Sequence, residues 1–115
     1  MGGEQRFAFT EIPDFLMARF DVYASPEGRG YLLDVQADLL SSLNTRVVVP
    51  LMPVDVAPSP AKRLNPVFDI ENEGYVMVTQ FLSAVPVSIL KTPFSNFALH
   101  DTEITGALDM LTTGV

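Results

Sequence analysis

The chain contains no cysteine, no tryptophan and a single histidine, His100. Without cysteine there is no disulfide, no thiolate nucleophile and no zinc–thiolate site. One histidine alone does not make the usual zinc ligand set. Basic residues are also few: 7 against 14 acidic, for a formal net charge of −7. An acidic protein is repelled by a phosphate backbone unless its bases cluster, and only Lys62 and Arg63 are adjacent. Direct nucleic-acid binding is therefore not expected. No apolar run approaches the ~18 residues of a membrane span. Met1–Arg6 lacks the charge pattern and apolar core of a signal peptide, so the expected location is cytoplasmic.

What remains is enough for one globular domain. Of 115 residues, 48 % are hydrophobic and 18 % charged, a composition that builds a core and does not read as disorder. Residues 1–16 differ in character from the rest, with no clean period and a Pro13 that interrupts helix or central strand. They read as an extension before a domain spanning 17–115, or as an edge strand built from Arg6–Thr10. From Met17 the signals are mostly β. Phe20 and Val22 alternate with Arg19, Asp21 and Tyr23, the period of a strand. Ser25–Gly30 supplies turn residues, and Tyr31–Val35 returns as a second strand. Asp34, a charge in an apolar run, is expected to face out or bind a local backbone donor. Asp38–Ser42 reads as a short connection. Its Leu39 and Leu40 are either exposed or part of the core.

Arg46–Leu51 is a β-branched strand, which Pro50 should end or place at an edge. Four prolines between Met52 and Pro66 exclude a helix there. Val67–Ile70 and Tyr75–Phe81 form a second hairpin around Asn72-Glu73-Gly74. Ala84–Ser88 is apolar but broken by Pro86. From Leu99 to Thr113, Ile104, Ala107, Leu108 and Leu111 recur at helical spacing, and Gly114 follows as a stop signal. Strands followed by one terminal helix predict an antiparallel sheet packed by that helix.

Candidates for catalysis are sparse. His100 has no Gly-x-Ser-x-Gly elbow to serve and reads as a surface residue at the helix start. Asp101 and Glu103 suit the positive end of the helix dipole, with Asp101 or Thr102 as N-cap. Neither Asp34 with Asp38 nor Glu71 with Glu73 has a context that would hold two carboxylates together for acid–base work. No glycine-rich phosphate loop occurs. Arg29 and Arg46 are the best residues a ribonuclease site could use, and each reads better as an exposed loop or strand charge. The chain is thus expected to work through a surface, with Leu39, Leu40, Thr112, Thr113 and Val115 as the residues of interest.

Five blocks in order carry a resemblance. They are Phe20-Asp21-Val22-Tyr23, Leu33 through Leu40, Arg46 through Leu51, Ala84-Val85-Pro86-Val87 and Gly106 through Val115. Together they closely resemble the CcdB toxin family over Met17–Val115. Lys62-Arg63-Leu64-Asn65-Pro66 looks more like its chromosomal branch than its plasmid branch. The resemblance implies a mainly β fold, an SH3-like, partly open antiparallel barrel with a small β lobe and a C-terminal α-helix. It implies a homodimeric toxin of a type II toxin–antitoxin module. Such a toxin binds GyrA, the DNA-cleaving subunit of DNA gyrase. It traps the cleaved-DNA complex without being an enzyme or using a cofactor, and is neutralised by a CcdA-like antitoxin. Carried onto this chain, the gyrase-facing positions are Leu39, Leu40, Asp109, Thr112, Thr113, Gly114 and Val115; none is assigned to the antitoxin. The plasmid branch ends Phe-Trp-Gly-Ile, whereas this chain ends Thr112-Thr113-Gly114-Val115. Losing a buried Trp anchor, at about 2 kcal/mol, corresponds to roughly thirtyfold weaker binding. The alternatives are a homologue that binds antitoxin but poisons gyrase weakly or not at all, and a ribonuclease on the related barrel fold.

Overall fold

The structure is a computed structural model and describes residues 17–115. The expectations for residues 1–16, including a strand at Arg6–Thr10, lie outside the described residues. Among the described residues, seven strands form one antiparallel sheet: β1 (Asp21–Ala24), β2 (Tyr31–Asp34), β3 (Thr45–Pro53), β4 (Val67–Ile70), β5 (Glu73–Met77), β6 (Ser83–Pro86) and β7 (Ser95–Asn96). The helix α1 (Asp101–Thr112) follows. The sheet order is β4-β5-β3-β2-β1-β7, with β6 also paired to β3. The sheet curls into a half-barrel, in line with the mainly β, helix-terminated expectation.

The long strand β3 is the organising element. Along one edge it pairs β2, from Tyr31↔Leu51 to Asp34↔Val48. Along the other it pairs β6 through Thr45–Val48 and β5 through Leu51–Pro53. Pro50 therefore neither ends the strand nor lies at an edge, contrary to the sequence expectation. It falls between the two partner strands, where no ladder hydrogen bond is asked of its missing N–H. Its carbonyl still accepts from Val78 N at 3.0 Å.

Alternation along the strands feeds both faces. Phe20, Val22, Leu33, Val49, Leu51, Met77 and Phe97 form the inner core, which Ile104 and Ala107 of α1 cap. Tyr23, Val48 and Leu90 form a smaller outer core with Leu32, Val85 and Ile89 packed against it. The residues alternating with the inner core in β1, Asp21 and Tyr23, are thus buried too.

The two hairpins show what their turns demand. In the β1–β2 loop Gly30 has φ +103°, and a Cβ there would lie 2.6 Å from Leu51 O, so only glycine lets the loop meet β3. In the β4–β5 hairpin the turn is Glu71-Asn72, both with positive φ (52° and 68°), between the paired Ile70 and Glu73. That is a two-residue type I′ geometry matching strand twist, and it sits one residue earlier than the sequence suggests. The second strand ends at Met77, with a 3₁₀ turn over Thr79–Phe81 in place of the expected continuation.

The helix begins after a 3₁₀ turn at Ala98–His100. His100 occupies the N-cap without a side-chain cap bond, so neither Asp101 nor Thr102 caps. Asp101 Oδ1 instead accepts from Thr105 Oγ1 at 2.9 Å. Among the described residues, no helix is long and apolar enough to cross a membrane.

Candidate functional site

Two surface features collect the residues singled out by sequence. The first is the 3₁₀ turn Asp38–Leu40. Its leucines point away from the core: Leu39 is 92 % exposed and Leu40 47 %. The turn is held from within. Buried Gln36 donates from Nε2 to Leu40 O at 2.9 Å, and its Oε1 accepts from Val47 N at 3.1 Å. Asp38 Oδ1 accepts from Arg19 N at 2.8 Å. Leu39 is thus a large apolar side chain displayed on a braced turn, an arrangement that costs solvation without a folding benefit.

The second feature is the C-terminal end of α1. Gly114 has φ +79°, and its N–H donates to Asp109 O at 3.1 Å and Met110 O at 3.2 Å. This is a left-handed glycine cap satisfying orphan carbonyls. Thr112 Oγ1 donates to Leu108 O at 3.0 Å and Thr113 Oγ1 to Asp109 O at 2.8 Å. Both hydroxyls are therefore turned back onto the helix. Beyond them Val115 is 71 % exposed, and Leu111, at 39 %, is the last turn's partly covered apolar residue. Exposed Asp109 adds negative charge where the helix dipole is already negative, and no basic residue lies in the last turn. The tip is apolar with an electronegative collar.

Two buried charges depart from the sequence expectation. Asp34 does not face out; it is fully buried with Arg46. Only the local-donor part of that expectation holds, since Asp34 Oδ1 accepts from Gln36 N at 3.0 Å. Its Oδ2 receives Arg46 Nε at 2.7 Å, with Nη2 at the same distance. Arg46, expected on the surface, has no exposed side chain at all. Register explains the pairing. Asp34 is opposite Val48, and Arg46 lies two residues along β3 on the same face. Burial pushes the Asp34 carboxyl above the usual carboxylate range, opposed by the Gln36 amide and the Arg46 guanidinium. Nη1 and Nη2 of Arg46 find no well-aligned acceptor among the protein atoms. Nearby Tyr23 is also pushed up, first by burial and then by Asp21 and Asp34.

These placements bear on catalysis. Arg46 is out of reach of any RNA. Arg29 is exposed, as expected, but pairs with Asp55 at 3.2 Å and Glu73 at 3.0 Å. It lines a groove of about 460 Å³ whose other walls are mostly apolar, including Leu32, Val48, Phe81 and Val85. His100 stacks near Phe68 and Phe97, with ring centroids 4.8 and 5.1 Å away, and its Nδ1 lies 3.5 Å from Glu103. Asp38 serves the Arg19 amide and does not meet Asp34's partners. Glu73 is taken by Arg29 and by Tyr75 OH at 3.0 Å. Among the described residues, no group of three or more His, Asp or Glu side chains gathers as a metal site.

Arg19, Gln36 and Asn96, which position the two surface features, give no sequence signal, because their roles are hydrogen bonds to distant backbone. The fold is the one that the resemblance implied, and the family comparison extends over almost all of it. The family model described as CcdB protein matches residues 19–114 of the 115, and the chain belongs to that family of toxins from toxin–antitoxin modules.

Proposed function

We propose that this protein binds GyrA as a non-catalytic poison that traps the gyrase–DNA cleavage complex, and that a CcdA-like antitoxin neutralises it. The observation that carries this reading is the family match across residues 19–114. Local support comes from the two exposed apolar features, Leu39 with Leu40 and the tip at Asp109, Thr112, Thr113, Gly114 and Val115. A partner with apolar pockets edged by basic side chains would complement a tip that is apolar and electronegative. Such a target places the activity in the cytoplasm. Induced expression in a gyrase-competent bacterium should arrest growth and accumulate linear DNA. Normal growth with folded protein present would count against the reading.

A second reading has its own observation. Thr112 and Thr113 stand where the plasmid branch has its aromatic pair, and both hydroxyls are spent on the helix. A protein retaining antitoxin binding with little gyrase affinity would fit that tip. Retained antitoxin binding with no measurable binding to GyrA would select it.

Homodimerisation belongs to the same proposal. Among the described residues, strands β4 and β6 each pair on one side only, and Phe81, Phe94 and Leu99 leave apolar surface exposed. A second copy would cover such surface and blunt such edges. Light scattering at micromolar concentration should give twice the 12.6 kDa chain mass; a monomer contradicts the expectation.

A further inference from the structure

Arg19, Phe20 and Asp21 form the corner through which the chain enters β1, and this corner touches the supports of both surface features. Phe20 has φ +75°, a left-handed backbone that a bulky aromatic residue rarely adopts. The surroundings over-determine it. Its N–H donates to Asp34 O at 2.6 Å and its carbonyl accepts from Phe97 N at 2.8 Å. The side chain is 5 % exposed in the inner core. The Arg19 guanidinium lies 4.5 Å from the Phe20 ring centroid, and Arg19 Nε donates to Val35 O at 3.3 Å.

One arm of the corner leads to the leucine turn, because Arg19 N–H donates to Asp38 Oδ1 at 2.8 Å. The other leads to the helix. Asn96 Nδ2 donates to Arg19 O at 3.2 Å and to Asp21 Oδ1 at 2.9 Å, while its own Oδ1 accepts from Ala98 N at 2.8 Å. The backbone pairing there is short, only Asp21↔Asn96 and Val22↔Ser95. The Asn96 clamp therefore carries much of the attachment of the segment that leads into α1. Both polar groups of the Phe20 backbone, and both those of Arg19, are committed in this way.

We propose that the Arg19–Phe20–Asp21 corner is a positioning element that couples the Asp38–Leu40 turn to the lead-in of α1, so that the two halves of the binding surface are set together. The role in binding rests on the gyrase reading above; the coupling itself does not. With its polar groups committed and its backbone strained, the corner has no low-energy alternative into which one arm can relax alone.

Amide hydrogen exchange on the full chain tests this without any partner. Asp38→Ala removes the acceptor for Arg19 N–H at an exposed site and should speed exchange at Phe97 and Ala98, on the far arm, by about fivefold, the loss of one hydrogen bond's worth of local stability. Asn96→Ala should do the same at Leu40 and Ser41. Asp38→Asn keeps an acceptor oxygen and should restore the parent rates. If each variant disturbs only its own arm while core amides such as Val49 stay protected, the proposal is overturned. Should Asn96→Ala not fold, the Asp38 pair of variants decides alone. Binding of the same variants to GyrA separates the two claims. Cross-arm exchange with no binding by the parent protein keeps the coupling and rejects the gyrase reading. Binding with uncoupled arms does the reverse.

Discussion

Arg46→Met is expected to destabilise the protein by about 3–5 kcal/mol at neutral pH, the usual cost of stranding one member of a buried ion pair. Asp34 would stay fully buried with only the Gln36 amide to serve its charge. Against a typical domain stability of roughly 5–15 kcal/mol, that loss is a large share. Urea unfolding should show a lower midpoint with little change in slope. The double variant Arg46→Met with Asp34→Leu should recover most of the loss, because the pair itself contributes little beyond its own desolvation. The effect should also depend on pH. Asp34 is already raised above its ordinary value by burial, and Arg46 opposes that shift. Without Arg46 the native carboxyl moves higher still. Between the unfolded value, about 3.9, and the raised native value, the native state holds more protons than the unfolded one, so stability falls as pH rises. The deficit relative to the parent protein should therefore be largest at neutral pH and shrink as pH drops toward the unfolded value. A single variant within about 1 kcal/mol of the parent at every pH would mean, on the scale of buried pairs, that Asp34 is not uncompensated.

The same pair shows why part of the fold is illegible in the sequence. Asp34 and Arg46 are twelve residues apart and meet only through the β2–β3 register. No local pattern distinguishes them from two solvated strand charges. Pro50 misleads for a related reason. A proline rule assumes that every interior strand position must donate, and β3 has a gap between β6 and β5 where none is required. By contrast α1 is legible because its signal is local: Ile104 and Ala107 at helical spacing are buried, and Gly114 takes the left-handed cap. Leu39 and Leu40 fall between these cases. Composition suits core or surface equally, and the outcome is decided by Gln36, whose side chain ties the turn to β3 and leaves the leucines outside. The positions carried over by family resemblance are exposed. The corner that supports them is not visible in any motif, since a positive φ at Phe20 is a tertiary effect.

Removing Gly114 and Val115 is the second large effect, and it should separate folding from function. Val115 is 71 % exposed, and nothing lies within 4 Å of the Cβ direction of Gly114. The fold loses only cap hydrogen bonds at a helix end, a change on the order of 0.5 kcal/mol that shifts the thermal midpoint by about 2–4 °C in a domain of this size. Growth arrest and binding to GyrA should nevertheless be abolished, because the truncation takes the apolar end of the tip. Leu39→Asp should weaken binding comparably by setting a charge against an apolar contact, again with a near-parental melting point. The converse change is Thr113→Trp. It sacrifices the bond from Thr113 Oγ1 to Asp109 O but restores an aromatic anchor, worth about 2 kcal/mol or roughly thirtyfold in affinity. Tighter binding on that substitution would locate the contact at the helix end. A truncated protein that still binds GyrA with parental affinity would move the contact elsewhere on the surface and leave the exposed tip without this role.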